Sequence, residues 1–390
     1  MTLISDSRSL KDMCNTLAQE SFVCIDTEFM REGTYWPRLC LIQLADSKGN
    51  AFAVDPLISD INLVPLFDLM SNEKVPKVMH AARQDVEIFF YLTGTAPRPI
   101  FDTQIAAMVC GFGEAASYET LARKLANTRI DKSFQFSDWS TRPLQTRQLE
   151  YALGDVTHLP KIYYSLQDQL IRTGRGSWVS EEMSALCRTE VYDLDPMDAW
   201  RKVKTRNARP RTLAILREIT AVREDWARQK DVPRQRIVRD QSLLEIASSH
   251  PKTHAQLARI RGFSEGAARG RLGSDLLKGV ARGISVENEE CPKPPARNAT
   301  ATASASVVDL LKVLLKARGE KHGVAQKLVA TASDLVEIAA GVNTVPALAG
   351  WRYDIFGCDA LKLKNGTLAL SVKDGTISIT ESHISKPKTV

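Results

Sequence analysis

Phe22-Val23-Cys24-Ile25-Asp26-Thr27-Glu28-Phe29 is an apolar run with two carboxylates in its second half. Phe22, Val23, Ile25 and Phe29 favour extended backbone, so a buried β-strand is expected here. Side chains in a strand alternate between faces, which puts Asp26 and Glu28 on the same side. Two neighbouring carboxylates repel, and withdrawal from water makes each charge costlier. A divalent cation that prefers hard oxygen ligands, Mg²⁺ or Mn²⁺, removes both difficulties. An edge strand with its two acids in water fits the octapeptide as well, so the rest of the chain has to decide.

Working outward, residues 39–45 and 51–54 are the next strand candidates, joined by the polar turn 46–50. Three strands on short connections imply an antiparallel meander. Residues 62–70 are apolar at helical spacing, 77–80 form a short strand, and 81–92 a helix that carries Asp85. Further helices are expected over 102–109, 118–125 and 147–170. The last holds Tyr151 and Asp155, which at i, i+4 share one helical face. Strands followed by helices and further strands indicate an α/β domain over residues 1–175. From Trp200 the strand signals end. Helical patterns interrupted at Val232-Pro233 and His250-Pro251 predict a small all-α domain over 200–283. Residues 288–306, rich in Pro, Ala, Thr and Ser, read as a linker. Residues 307–372 repeat the helix order of the preceding unit, as a diverged duplicate would. A hairpin turn is possible at Asp374-Gly375 within an expected tail over 373–390.

Charge is unevenly spread. The net charge of +6 divides into about −3 over 1–180 and about +12 over 201–283. An acidic half beside a basic half suits carboxylate chemistry in one and a polyanion grip in the other. The 7 cysteines are scattered, with no Cys-x-x-Cys pair, which argues for a reducing compartment and against a zinc site or disulfide framework. The N-terminus lacks the basic start and apolar core of a signal peptide, and no apolar stretch approaches membrane-spanning length. A cytoplasmic protein is expected.

Asp-x-Glu on a strand, Asp85 on a following helix, and Tyr151-x-x-x-Asp155 on a later one together resemble the DEDDy class of 3′→5′ exonucleases, which have a ribonuclease-H-like fold. Asp26-Thr27-Glu28-Phe29-Met30-Arg31, Leu41-Ile42-Gln43-Leu44, Lys77-Val78-Met79-His80-Ala81 and the segment from Ser137-Asp138-Trp139 to Arg142-Pro143-Leu144 narrow the likeness to ribonuclease D. The basic unit resembles the helicase-and-ribonuclease-D C-terminal (HRDC) domain, and residues 307–372 resemble a second copy. The likeness implies two-metal hydrolysis of RNA from its 3′ end, with release of nucleoside 5′-monophosphates. It makes Asp26 the bridging ligand, with Glu28 and Asp155 completing the water-activating site and Asp85 holding the second ion. Tyr151 would orient the attacking water; a phenol with an unperturbed pKa of about 10 is a poor base at neutral pH.

The same likeness places Thr27 and Phe29 against the terminal nucleotide. His80, one turn before Asp85, reads equally as a contact to a phosphate or to a metal ligand and as a structural residue, and Trp139 and Arg142 are candidates to line the channel. Arg206, Arg209, Arg211, Arg234, Arg236 and Arg239 are candidates for a grip on backbone phosphates. The implied partners are transfer-RNA precursors with 3′ extensions, bound by a monomer that needs no membrane. Two other readings stay open on the sequence. A DNA exonuclease shares the metal core and differs in how the 2′-OH is read. A nucleic-acid-binding scaffold would carry the same fold with an idle site.

Overall fold

Strands β1 (Thr2–Ile4), β2 (Val23–Met30), β3 (Arg38–Ala45), β4 (Ala51–Val54), β5 (Lys77–Met79) and β6 (Ile100–Asp102) form one mixed sheet of order β1-β4-β3-β2-β5-β6. The structure is a computed structural model that describes residues 2–131, 133–205, 208–293 and 303–382. The meander β2-β3-β4 is antiparallel, as its short turns require, while β1 pairs parallel to β4, and β5 and β6 continue in parallel beyond β2. The strand with the two acids is therefore central, and Val23, Cys24 and Ile25 are fully buried. Strands β1 and β6 were not expected. Each has 3 residues, too few for an alternating pattern to register, and pairing with a neighbour makes them strands.

The sheet carries helices α1 (Ser7–Leu17), α2 (Val64–Ser71), α3 (Arg83–Thr93), α4 (Thr103–Val109), α5 (Tyr118–Leu125), α6 (Thr146–Thr157), α7 (Leu159–Thr173) and α8 (Gly176–Leu186). Asp6 caps α1 by accepting from the backbone of Arg8 and Ser9 at 3.0 and 2.9 Å. The one long helix expected over 147–170 is two, α6 and α7, parted at His158, with a proline in the first turn of α7. Pro160 has no N–H to continue the α6 ladder and suits a helix start. Helix α8 buries Val179 and Met183 in the main core, so this packed unit runs past the expected boundary at 175.

A second core belongs to helices α9 (Pro210–Lys230), α10 (Arg234–Ile237), α11 (Asp240–Ser249), α12 (His254–Leu257), α13 (Glu265–Arg269) and α14 (Arg271–Ser285). Helices α9 and α14 approach closely because Gly283 has no side chain: a Cβ there would lie 2.4 Å from Ile215 Cα. A third core gathers α15 (Ala305–His322), α16 (Gln326–Val329), α17 (Ala332–Ala340) and the helical run 350–364. The hairpin β7 (Leu368–Lys373) and β8 (Thr376–Glu381) follows. Its turn residues Asp374 and Gly375 have φ of 50° and 74°, the positive values that two-residue hairpin loops demand. The expected tail is thus ordered hairpin as far as Glu381. Arg206, residues 294–302 of the expected linker and residues 383–390 of the expected tail lie outside the described residues.

Both helical units dock on the first. Trp351 stacks on Trp178 at 4.4 Å, and Arg352 pairs with Glu181 at 2.7 Å and with Glu182. On the other side, the loop that follows β2 is held by the basic unit. Asp231 accepts from the backbone N–H of Tyr35 and of Trp36, each at 3.0 Å. The Tyr35 hydroxyl donates to Glu224 and accepts from Arg228 at 3.2 Å and Arg234 at 3.0 Å. Among the described residues no helix is long and apolar enough to cross a membrane.

Candidate active site

Asp26 and Glu28 leave the same face of β2, and α6 packs across β2, β3 and β4. That helix begins with a reciprocal cap, in which the Gln145 backbone N–H donates to Gln148 Oε1 at 2.8 Å. Two and a half turns on, Asp155 meets the acids of the strand. Carboxylate oxygens of Asp26, Glu28 and Asp155 all lie within 4.8 Å of one another. Tyr118 holds the helix in place by donating to the Gly154 carbonyl at 2.8 Å.

Burial pushes all three groups upward, and repulsion from neighbouring acids adds to it at Asp26 and Glu28. Asp26 is raised well above the carboxylate range by burial and by Asp155. Glu28 is pushed up to about 10 by burial and then by Asp26, Asp155 and Asp85. Burial raises Asp155 to about 7, against a lowering hydrogen bond from Tyr151. Without a counter-cation the cluster keeps protons that solvated carboxyls would have lost. An all-oxygen, acidic donor set of this kind fits Mg²⁺ or Mn²⁺ and not the sulfur- and nitrogen-seeking metals.

Asp85 stands apart from the triplet. It is buried, accepts a hydrogen bond from Thr27 Oγ1, and is raised by burial and by Asp26. Its helix α3 starts on a turn in which Ala81 has a φ of 56°. The Asp102 carboxylate holds that turn, accepting from the N–H of Ala81 at 3.0 Å and Ala82 at 2.8 Å. It also caps α4 by accepting from Gln104 at 2.8 Å. Tyr151 lies one turn before Asp155, and burial and that carboxylate keep its phenol protonated, able to donate. Its ring packs 6.0 Å from that of buried Trp139.

Several expected contacts turn inward. Thr27 is buried and spends its hydroxyl on Asp85. Phe29 packs half-buried against the main core. His80 lies 3.0 Å from Thr103 Oγ1, and burial lowers its pKa to about 4, which leaves it uncharged at neutral pH. A neutral, tied imidazole is no cationic phosphate contact. Trp139 lies beneath Tyr151 and not along an open channel. Arg142 pairs with Asp55 at 2.6 Å and donates to the Cys40 carbonyl at 2.6 Å, which clamps its loop to the sheet.

Of the expected basic grip, Arg211 donates to the carbonyls of Ile284 at 2.8 Å and of Val286, and to Asn288. Arg234 pairs with Glu224 at 2.5 Å. Arg209, Arg236 and Arg239 remain exposed. The roles of Asp102 and Tyr35 had no signal in the sequence, because each arises only when distant elements meet. A cleft of about 410 Å³ opens beside Tyr151, lined in part by Arg129, Phe134 and Arg147. Two residues after Phe134, on the loop before Trp139, Phe136 is 94% exposed.

Residues 1–171 match the family described as 3′-5′ exonuclease, and residues 212–280 match the HRDC domain; a second HRDC match is not found. Ribonuclease D of Jannaschia sp. (strain CCS1) is 45% identical over 97% of this chain and 99% of its own length. Ribonuclease D of Granulibacter bethesdensis is 46% identical over 97% of this chain and 96% of its own. Among solved structures, Escherichia coli RNase D, described as an exoribonuclease involved in structured RNA processing, superposes with a TM-score of 0.81 at 26% identity, covering 94% of this chain and 98% of that one. On full-length identity, domain content and an acidic site on the expected strand and helices, the chain belongs to the ribonuclease D family of 3′→5′ exoribonucleases.

Proposed function

We propose that the enzyme hydrolyses RNA one nucleotide at a time from the 3′ end, using two divalent cations, Mg²⁺ or Mn²⁺, and releasing nucleoside 5′-monophosphates. The observation that carries this reading is the meeting of Asp26, Glu28 and Asp155 within 4.8 Å, all raised above the usual carboxylate range. Asp26, Glu28 and Asp155 would hold one ion, and Asp85 would hold the other together with Asp26. Bound there, such ions supply an activated water and stabilise the leaving 3′ oxygen. The Tyr151 hydroxyl, held by its O–H to Asp155, hydrogen-bonds the attacking water through its oxygen and orients it. Trp139 backs the tyrosine ring.

RNA reaches this face through the cleft beside Tyr151, where Arg129 and Arg147 suit backbone phosphates. Arg209, Arg236 and Arg239 extend a phosphate grip over the helical unit, without base specificity. The substrate class we infer is structured RNA with 3′ extensions, transfer-RNA precursors above all; the Escherichia coli relative's role in structured RNA processing supports it. The unit from 307 is taken as a diverged HRDC-like duplicate, and its helix order supports this. The protein works in this reading as a cytoplasmic monomer.

The test is incubation of purified protein with a 3′-extended transfer RNA and Mg²⁺ or Mn²⁺, following mononucleotide release. Release that stops in Asp26→Asn and Asp155→Asn supports the reading. No release, or release undiminished in those variants, overturns it. Matched DNA and RNA strands in the same assay separate the two nucleic acids.

A further inference from the structure

Gln43 is fully buried, and neither its amide nitrogen nor its amide oxygen has a hydrogen-bond partner. A buried amide in that condition carries its full desolvation cost, so an apolar side chain of equal length would serve the metal-free fold better. Its position explains why an amide stands there. In the β2–β3 register Gln43 lies directly opposite Asp26. Directly opposed residues share a face, with Cβ atoms about 4.5–5.5 Å apart. Gln43 therefore shares the face of Asp26 and Glu28, in the layer closed by α6. Its partner on β4 is Ala53, small enough to leave the longer side chain room.

An ionised carboxylate is acceptor-only, and a primary amide offers two N–H donors without adding charge. Carboxylates that hold metals are themselves commonly fixed by such outer hydrogen bonds. We propose that Gln43 is a positioning residue for the metal site: its amide N–H donates to the Asp26 carboxylate when the cations are bound and fixes the orientation of that ligand. The role rests on the reading of the acids as a divalent-cation site. A lysine at this place would compete with the cations, and a serine would not reach.

The test uses full-length protein and MnCl₂ as the probe. Mn²⁺ uptake is titrated by calorimetry in wild type, Gln43→Met and Gln43→Leu, and thermal unfolding of each is recorded in EDTA. The expected result is an Mn²⁺ dissociation constant raised about 10- to 100-fold in both variants, with unfolding temperature in EDTA unchanged or higher. A purely structural glutamine would give the opposite split, lower stability and unaltered Mn²⁺ affinity, and that result overturns the proposal. Failure of both variants to fold in EDTA also overturns it, since the amide would then be needed by the metal-free fold. Wild-type protein that takes up no Mn²⁺ refutes the metal reading together with this role. Wild-type uptake matched by both variants refutes the role of Gln43 alone.

Discussion

Asp155→Asn is expected to stabilise the metal-free enzyme while destroying its activity. In the folded chain the Asp155 carboxyl rises from 3.8 to about 7, mainly through burial. A group whose folded pKa is raised binds more protons in the folded state than in the unfolded one. Its contribution is therefore fully present at low pH and is lost as pH climbs from about 4 to about 7. At 1.36 kcal/mol per pH unit, the shift corresponds to on the order of 4 kcal/mol at pH 8. Asparagine keeps the shape and removes the charge, and it also relieves Asp26 and Glu28, both of which Asp155 raises. The assay is urea unfolding in EDTA at pH 5, 6, 7 and 8, followed by circular dichroism. Wild type should lose stability across this window, and the variant should lose less and exceed wild type at pH 8 by up to about 4 kcal/mol. Saturating Mg²⁺ should invert the order, because only wild type retains the full ligand set. A variant no more stable than wild type at pH 8 in EDTA would refute the reasoning.

Other substitutions probe separate parts of the account. Tyr151→Phe removes the hydroxyl proposed to orient the attacking water and should lower kcat about 100-fold, with Mn²⁺ affinity in calorimetry nearly unchanged. Tyr35→Phe leaves buried Glu224 without its phenol partner and should cost about 1–3 kcal/mol in urea unfolding; a neutral result would show that the joint between the units does not depend on this hydroxyl. Phe136→Ala should raise KM for RNA about 5- to 150-fold with kcat preserved, as expected for loss of one base stack worth about 1–3 kcal/mol. Because Phe136 is 94% exposed, its removal should leave the unfolding midpoint unmoved, and a large fall would contradict the surface role.

The candidate site was legible because its pattern is local twice over. Asp26 and Glu28 follow the two-residue period of a strand, and Tyr151 and Asp155 follow the helical i, i+4 spacing, so each pair shares a face before any tertiary contact is known. What lay beyond the sequence depended on packing. His80 loses its charge because it is buried beside Thr103 and Tyr118, elements brought to it by the fold. Arg211 and Arg234 count toward a basic surface in any tally of charge, yet Val286, Asn288 and Glu224 take up their guanidinium groups. The short strands β1 and β6 carry no pattern of their own. Gln43 did leave a trace, as the lone amide in the otherwise apolar stretch Leu39-Cys40-Leu41-Ile42-Gln43-Leu44-Ala45. Its meaning required the register that sets it against Asp26.

The most direct test of the central claim is anomalous diffraction from crystals of the full-length enzyme soaked in Mn²⁺. The account predicts peaks among Asp26, Glu28 and Asp155 and toward Asp85, which vanish in Asp26→Asn. Anomalous density elsewhere on the chain with none at this face would contradict it.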